Sequence, residues 1–411
     1  MLWQPSLPPR YLNLGPDQLA ECITLRRNTL GDALVILGHH YQVDDVIRHA
    51  DHTGDSLKLS QIAARVATER PVRYVIFCGV HFMAETADML TPDDVSVILP
   101  DLSAGCSMAD MAQYDDTEHA WELIHETLRR QGRNPRIIPI TYVNSSAAIK
   151  AFVGARGGAC CTSSNADRVF AWAMNGGDHP DPHDDVRILF LPDQHLGRNT
   201  AARFGLDVTR ETCLYDPRRT RAGDALGGAT PEQLRDARVI LWAGHCSVHK
   251  LFRPEHCDQV RAADTADPSR PPTTILVHPE CAKEVVDKAD LAGSTEYILD
   301  TLRKAPTGSR WAVGTEIHLV NRIARECAGR NVHVRILSDC QCLCTTMYRI
   351  DEPHLLWTLD HLCALDPRTG EPTGKPPKPV NVIRVHPEVR KDALLALDRM
   401  LRLAPRAQPI D

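Results

Sequence analysis

The chain has 411 residues, a length that predicts two to four domains at roughly 150 residues each. Hydrophobic residues make up 43% of the chain and charged residues 24%, which excludes a mostly disordered protein. The formal net charge of -6 excludes a globally basic surface for nucleic acid or an anionic membrane. An aromatic content of 5% argues against stacking platforms for single-stranded nucleic acid.

Short, β-rich apolar runs alternate with amphipathic helical patterns along the chain. The runs that predict strands are 33–37, 73–77, 95–99, 137–140, 186–191 and 239–242. The helical patterns are 60–68, 119–130, 295–304 and 386–403. Apolar strands that alternate with helices predict an α/β fold with parallel sheets covered by helices. The polar stretches 204–236 and 254–272 are predicted to be surface insertions.

The residues that follow the strands repeat a common plan three times. Each repeat has a His or Tyr/Asn cluster, then a Cys, Ser or Thr segment, and then a strand followed by a cysteine. This pattern predicts three α/β units in series, although chance similarity among βα units is the alternative. The units are 1–111 with an N-terminal extension, 112–250 with the insertion near 204–236, and 251–345. A C-terminal helical segment, 346–411, is predicted to pack on the core.

No apolar run reaches the ~18 residues that would span a bilayer. The first residues carry prolines where a signal peptide needs an apolar stretch. We therefore expect a soluble cytoplasmic protein without membrane or nucleic-acid partners. In a reducing cytosol most of the 14 cysteines would be thiols, and a few are candidates for binding metal.

Cys340, Cys342 and Cys344 form the densest group of thiols in the sequence. A Cys-x-Cys pair can bind zinc or copper, or act as a redox pair. A third possibility is a cluster built from distant cysteines at the ends of the three units. Three thiolate ligands on a four-iron cluster would leave one iron available to substrate.

Polar side chains also follow the predicted strands, where parallel α/β proteins bind their ligands. Hydroxyl, amide and imidazole groups at these positions suit a small anionic substrate. Local turn capping is the alternative for any single residue, but it does not explain the whole set. The set comprises His39, Tyr41, Tyr142, Asn144, Ser163, His278 and Ser294.

Several collinear motifs between residues 35 and 362 resemble those of the quinolinate synthase family. The resemblance covers most of the chain, and no single motif is a generic loop pattern. The motifs are HHYQVDDVIRHADHTGDSLKLS (39–60), FCGVHFMAETADML (77–90), LPDLSAGCSMADM (99–111), YVNSSAAIKA (142–151), CTSSNA (161–166), GHCSVH (244–249), GSTEYI (293–298) and CTTMYRIDEPHLLWTLDHL (344–362).

The resemblance implies three similar three-layer α/β domains in a pseudo-threefold arrangement around one [4Fe-4S] cluster per chain. It also implies a transferase that condenses iminoaspartate with dihydroxyacetone phosphate into quinolinate, phosphate and water. This reaction belongs to de novo NAD biosynthesis, with a possible functional link to L-aspartate oxidase.

Residue by residue, the resemblance implies three cysteine ligands: Cys106, Cys246 and Cys344, with Cys342 as the alternative third ligand. It gives catalytic roles to three residues, which are Tyr41, His278 and Glu280. The implied substrate contacts are His39, Ser56, Tyr142, Asn144, Ser163, Ser294 and Thr295, the last two at a phosphate or carboxylate site.

Two rival functions fit the sequence less well. Another hydro-lyase or transferase with an open cluster iron would not need the motifs around Tyr142, His278 and Ser294, which are all present. A non-catalytic iron–sulfur sensor should carry a DNA-binding or partner segment, and the sequence shows neither a basic helix nor a helix-turn-helix pattern.

Overall fold

A computed structural model of the chain describes residues 3–404. Its strands are β1 Leu34–His39, β2 His52–Gly54, β3 Tyr74–Cys78, β4 Ser96–Ile98, β5 Arg136–Tyr142, β6 Ala159–Cys161, β7 Val186–Leu191, β8 Thr212–Tyr215, β9 Val239–Trp242, β10 Thr273–Val277, β11 Leu291–Ala292, β12 Arg310–Gly314, β13 His333–Ile336 and β14 Val382–Ile383. Its α-helices are α1 Pro9–Leu12, α2 Pro16–Leu30, α3 Asp44–Ile47, α4 Ser56–Glu69, α5 His81–Leu90, α6 Tyr114–Arg130, α7 Ala147–Ala155, α8 Ala166–Met174, α9 Gln194–Phe204, α10 Pro217–Arg221, α11 Pro231–Asp236, α12 Pro254–Ala266, α13 Lys283–Val286, α14 Thr295–Arg303, α15 Ile317–Ala328, α16 Glu352–Leu362 and α17 Pro387–Arg402.

The strands form three separate sheets. The first has the order β14-β4-β3-β1-β2, and its strands are parallel except for the antiparallel β14. The second, β6-β5-β7-β9-β8, and the third, β11-β10-β12-β13, are parallel throughout. The α/β fold class with parallel sheets is confirmed.

Apolar side chains set the register of the central strands. Ile140 of β5 pairs with Phe190 of β7, and Leu276 of β10 pairs with Val313 of β12. All four side chains are fully buried. Strands buried on both faces need continuous apolar sequence, which is why the runs 137–140 and 186–191 predict β5 and β7.

The described residues divide into two compact units. One comprises 3–106, 317–322 and 343–386 and holds the first sheet. The other comprises 107–316, 323–342 and 387–404 and holds the second and third sheets. The three-domain boundaries and the pseudo-threefold arrangement stay predictions.

The two segments predicted as surface insertions contain a strand and a helix with buried residues. The stretch 204–236 contains β8, an edge strand of the second sheet, where Cys213 and Tyr215 are buried. The stretch 254–272 contains α12, which buries Cys257 and Val260. Both stretches are polar because the elements in them also present a face to solvent.

The predicted C-terminal helical segment consists of two helices that pack in different places. α16 packs on α2 in the first unit, and α17 packs on α7 in the second. A Cβ at Gly154 of α7 would lie 1.9 Å from the backbone oxygen of Asp392 in α17, so only glycine permits this close approach. Residues 405–411 of the predicted segment lie outside the described residues.

Candidate active site

Glu280 lies at the centre of a buried hydrogen-bonded cluster in the second compact unit. It follows β10 in the loop His278-Pro279-Glu280-Cys281, and it is 3% exposed. The Tyr142 hydroxyl donates to Oε1 at 2.6 Å, and Nδ1 of His249 lies 2.8 Å from Oε2. Both carboxylate oxygens therefore have a partner.

The ends of five parallel strands supply this cluster. Tyr142 ends β5, Ser163 follows β6 and His249 follows β9 in the second sheet. Glu280 follows β10 and Thr315 follows β12 in the third sheet. Because parallel strands end at one edge of a sheet, residues far apart in sequence meet there.

His278 is held by Ser163 on one side and by its own loop on the other. Its Nε2 lies 3.2 Å from Ser163 Oγ, and its Nδ1 accepts the Glu280 backbone N–H at 3.3 Å. The ring stacks on His249, with 4.4 Å between the ring centroids and 18° between the planes. Since Nδ1 accepts a hydrogen bond, a neutral His278 carries its proton on Nε2 and donates it to Ser163.

The electrostatics separate the roles of Glu280 and His278. Burial lowers the pKa of His278 to about 3, and repulsion from His249 adds to this, so the ring is neutral near pH 7. Burial opposes ionisation of Glu280, but His249, His278 and the hydrogen bonds from His249 and Tyr142 hold its pKa well below its usual range. Glu280 is therefore an ionised carboxylate near pH 7.

Asn199 of α9 fixes the loop that carries Glu280. Its Nδ2 donates to the backbone oxygens of Pro279 and Cys281, at 2.8 and 2.9 Å. The N-cap of α9 is Asp193, which is fully buried and whose Oδ1 accepts the backbone N–H groups of His195 and Leu196. Burial and the charge of Glu280 raise the pKa of Asp193, whose Oδ2 has no hydrogen bond.

Cys246 joins this cluster on the same loop as His249. Its sulfur, a ring nitrogen of His249 and a carboxylate oxygen of Glu280 all lie within 4.8 Å of one another. The second compact unit thus brings together Tyr142, Ser163, Cys246, His278 and Glu280, which the sequence had predicted as site residues.

Three further predicted residues, Asn144, Ser294 and Thr295, also belong to the second unit. The carbonyl oxygen of the Asn144 side chain is buried without a hydrogen bond. Ser294 is the N-cap of α14, and its Oγ accepts the Tyr297 backbone N–H at 3.3 Å. Thr295 is the first residue of that helix, and both hydroxyl residues are buried. Ser294 thus caps a helix locally, which is the alternative to substrate binding that the sequence left open.

The first compact unit holds the other predicted residues. His39 ends β1, and Tyr41 packs edge-on against it with 4.8 Å between ring centroids. Ser56 is the first residue of α4. Cys106 and Cys344 are half-buried in loops of the same unit.

Sequence reasoning missed His249, Thr315 and Asn199. His249 stands three residues after Cys246 in a motif that had already been singled out, so its signal was available. Thr315 directly follows β12 in the segment AVGTE, and its position at a strand end is the signal that could have found it. Asn199 lies inside a helix and had no sequence signal.

Parallel sheets with a buried carboxylate, two imidazoles and a phenol at the strand ends define a proton-transferring α/β enzyme for small substrates. The sequence model described as Quinolinate synthetase A protein matches residues 23–402. The chain belongs to this quinolinate synthase family, as the motifs had predicted. It is accordingly an enzyme of the transferase class, with a role in NAD biosynthesis.

Relatives of similar length support this membership. The chain is 49% identical over 395 residues to a quinolinate synthase of Acidobacterium capsulatum, covering 96% of this chain and 95% of the relative. It is 46% identical over 402 residues to that of Rhodopirellula baltica, covering 95% and 92%. It is 49% identical over 402 residues to that of a Nocardioides species, covering 97% and 91%.

Proposed function

We propose that this chain condenses iminoaspartate with dihydroxyacetone phosphate to give quinolinate, phosphate and water, with Glu280 as the principal base. The observation that carries the proposal is the buried, ionised Glu280 carboxylate held between Tyr142 and His249. Family membership supports the product, and the cluster supplies groups suited to proton transfer.

The condensation requires proton removal next to a carbonyl, carbon–carbon bond formation, loss of phosphate and dehydration. Glu280 is ionised and therefore accepts the proton from carbon. Tyr142 and neutral His278 each have one polar hydrogen, which they donate to Glu280 and to Ser163. When substrate binds, each redirects this hydrogen bond to a substrate oxygen where charge develops.

Tyr41 is proposed as a second proton carrier. It is half-buried, and His39 orients its ring. His39, Ser56, Asn144 and Ser163 are proposed as substrate contacts, since each is a polar group at or directly after the end of a parallel strand or at a helix start.

Ser294 and Thr295 are proposed to bind the phosphate or a carboxylate of the substrates. They stand at the start of α14, where backbone N–H groups favour an anion. The Ser294 oxygen accepts from the helix, which leaves its own O–H available to donate to the substrate.

One [4Fe-4S] cluster per chain, bound by Cys106, Cys246 and Cys344, is the proposed cofactor. These thiols are half-buried in loops, whereas burial raises the pKa of Cys78 and Cys160 to about 12. Thiolates are the form that binds iron, so thiols in loops fit the role better than those of the core. When bound, such a cluster supplies a Lewis-acidic iron that no cysteine ligates.

Cys344 fits the third position better than Cys342. Cys342 is fully buried, burial raises its pKa, and its sulfur lies 3.2 Å from the Ser338 hydroxyl. Cys344 is half-buried, and its sulfur lies 3.6 Å from the Thr346 hydroxyl.

We propose that L-aspartate oxidase supplies the iminoaspartate. The chain is proposed to act in the cytoplasm, without a membrane or nucleic-acid partner. Among residues 3–404, no helix combines the length and the apolar character that a membrane span needs.

Anaerobic purification followed by iron, sulfide and product analysis tests the function. We expect about four iron and four sulfide per chain, and quinolinate from the two named substrates. Cys106→Ala, Cys246→Ala and Cys344→Ala should each lose the cluster, while Cys340→Ala, an exposed thiol of the same segment, should keep it. A cluster that survives Cys344→Ala but not Cys342→Ala would reassign the third ligand, and absence of quinolinate would refute the function.

A further inference from the structure

The Cys246–His249–Glu280 triad has the composition of a single-metal site. It offers one thiol, one imidazole and one carboxylate, with ligand atoms within 4.8 Å of one another. In a tetrahedral zinc site with bonds of ~2.0–2.3 Å, ligand atoms lie roughly 3.3–3.7 Å apart. Small side-chain movements would therefore bring the three groups into bonding distance.

The surroundings of the triad already orient these groups as a metal site requires. Nδ1 of His249 faces Glu280, and Nε2 lies 3.1 Å from Thr315 Oγ1. With a metal on Nδ1, the ring proton moves to Nε2 and is donated to Thr315, with no change in the charge of the ring. Tyr142 keeps its hydrogen bond to the other carboxylate oxygen. Such outer partners are typical of protein zinc sites.

The charge of the triad matches a divalent ion. A thiolate and a carboxylate carry two negative charges, and the imidazole is neutral when it binds a metal. His249 and Glu280 are 1% and 3% exposed, so a balanced charge avoids the cost of burying an unpaired ion. Three protein ligands leave the fourth tetrahedral position for water.

We propose that the full chain, when it lacks the iron–sulfur cluster, binds one Zn²⁺ through Cys246, His249 and Glu280. The site overlaps the proposed cluster site but needs one cysteine, not three. Cys246 is common to both, so zinc and the cluster exclude each other. Zinc-loaded protein therefore resists cluster assembly until the zinc is removed.

Competition with a chromophoric chelator measures this binding on full-length, cluster-free protein. We expect one Zn²⁺ per chain, and binding at least about tenfold weaker in Cys246→Ser, His249→Gln and Glu280→Gln. With Co²⁺ as the probe, the wild type should show a thiolate charge-transfer band that Cys246→Ser lacks. Thr315→Val, which removes the hydroxyl partner of His249 Nε2, should weaken binding by about 10–100-fold with unchanged circular dichroism.

Cys106→Ala and Cys344→Ala are the matched controls. Both should keep wild-type zinc affinity, although they are expected to lose the iron–sulfur cluster. Zinc binding that depends on Cys106 and Cys344 but not on His249 would overturn the proposal, as would the absence of stoichiometric binding. Quinolinate formation is measured separately, so failure of the zinc proposal leaves the proposed function standing, and the reverse also holds.

Discussion

The two histidines next to Glu280 act on it in different ways. His249 hydrogen-bonds to the carboxylate directly, whereas His278 is bonded to the Glu280 backbone N–H and to Ser163. Since His278 is buried and neutral, it can exchange its hydrogen bond to Ser163 for one to a substrate oxygen without a change in its charge. In the proposed function, His278 is the hydrogen-bond donor and Glu280 is the base.

The buried His278 should make folding stability depend on pH. Its pKa is about 3 in the folded protein, below the ordinary value of 6.5. Between these values the unfolded chain binds more protons, so the free energy of unfolding falls as the pH falls. His278→Gln removes this contribution. As the pH falls below 6.5, the free energy of unfolding of the variant should therefore rise relative to that of the wild type, by up to about 1.4 kcal/mol per pH unit.

Urea unfolding at several pH values between 4.5 and 7.5 measures this effect. The exposed His183→Gln variant controls for the loss of one histidine. Parallel pH profiles for the wild type and His278→Gln would contradict the assignment of a neutral, buried His278.

Ser294 and Thr295 should govern affinity for the phosphate-bearing substrate. Removing both hydroxyls deletes two charge-assisted hydrogen bonds of ~1.5–3 kcal/mol each, so KM for dihydroxyacetone phosphate should rise by at least about tenfold. Steady-state kinetics on the double alanine variant measure the change. Thr230→Ala removes an N-cap hydroxyl from the exposed start of α11 and should leave KM unchanged. An unchanged KM in the double variant would place the phosphate elsewhere.

Among the elements, α9 has a role that its sequence does not predict. The side chain of Asn199 donates hydrogen bonds to two buried backbone carbonyl groups in the loop of Glu280 and so fixes that loop. Asn199→Ala should cost about 1–3 kcal/mol of stability and lower kcat, because the loop loses its anchor. The exposed Asn175→Ala at the end of α8 is the control. A variant with wild-type kcat and unfolding midpoint would show that the loop does not need this anchor.

The contact between α7 and α17 depends on a glycine. Gly154→Ala would drive a Cβ into the Asp392 backbone oxygen, so α17 must shift, at a cost of about 1–3 kcal/mol or more. Thermal unfolding measures the loss. Gly329→Ala, where a Cβ meets no atom within 4 Å, is the matched control. Equal melting temperatures for the two variants would contradict the close packing of α17.

Sequence predicted the buried elements best, because continuous burial leaves a continuous apolar run. The strands 186–191 and 239–242 have the predicted bounds. β8 was missed because it is a short edge strand with an exposed residue inside a polar stretch. The length of α4 was underestimated, since it begins at Ser56 after the Asp55 N-cap and not at residue 60.

The site was predicted only where a motif carried its own chemistry. Glu280, His278, Tyr142 and Ser163 stood at recognisable strand ends, and the structure brings them together. The contacts of Glu280 to His249 and of Asn199 to Pro279 join residues 31 and 80 positions apart. Such partners are decided by the packing of one element on another, which no local pattern records.

At the scale of the whole molecule, the described residues form two compact units that contain parallel sheets, and both units hold residues proposed for the reaction. The second unit holds Glu280 and its partners, and the first holds Tyr41, Cys106 and Cys344. The full chain, which carries both sets of residues, is the protein to assay.

Quinolinate formation by anaerobic wild type and Glu280→Gln, measured with both substrates in excess, tests the account most directly. The variant keeps the shape of the side chain but cannot accept the proton, so kcat should fall at least about 100-fold. Glu284→Gln, an exposed carboxylate four residues further on, should retain wild-type kcat. A Glu280→Gln variant that makes quinolinate at the wild-type rate would contradict the assignment of Glu280 as the base.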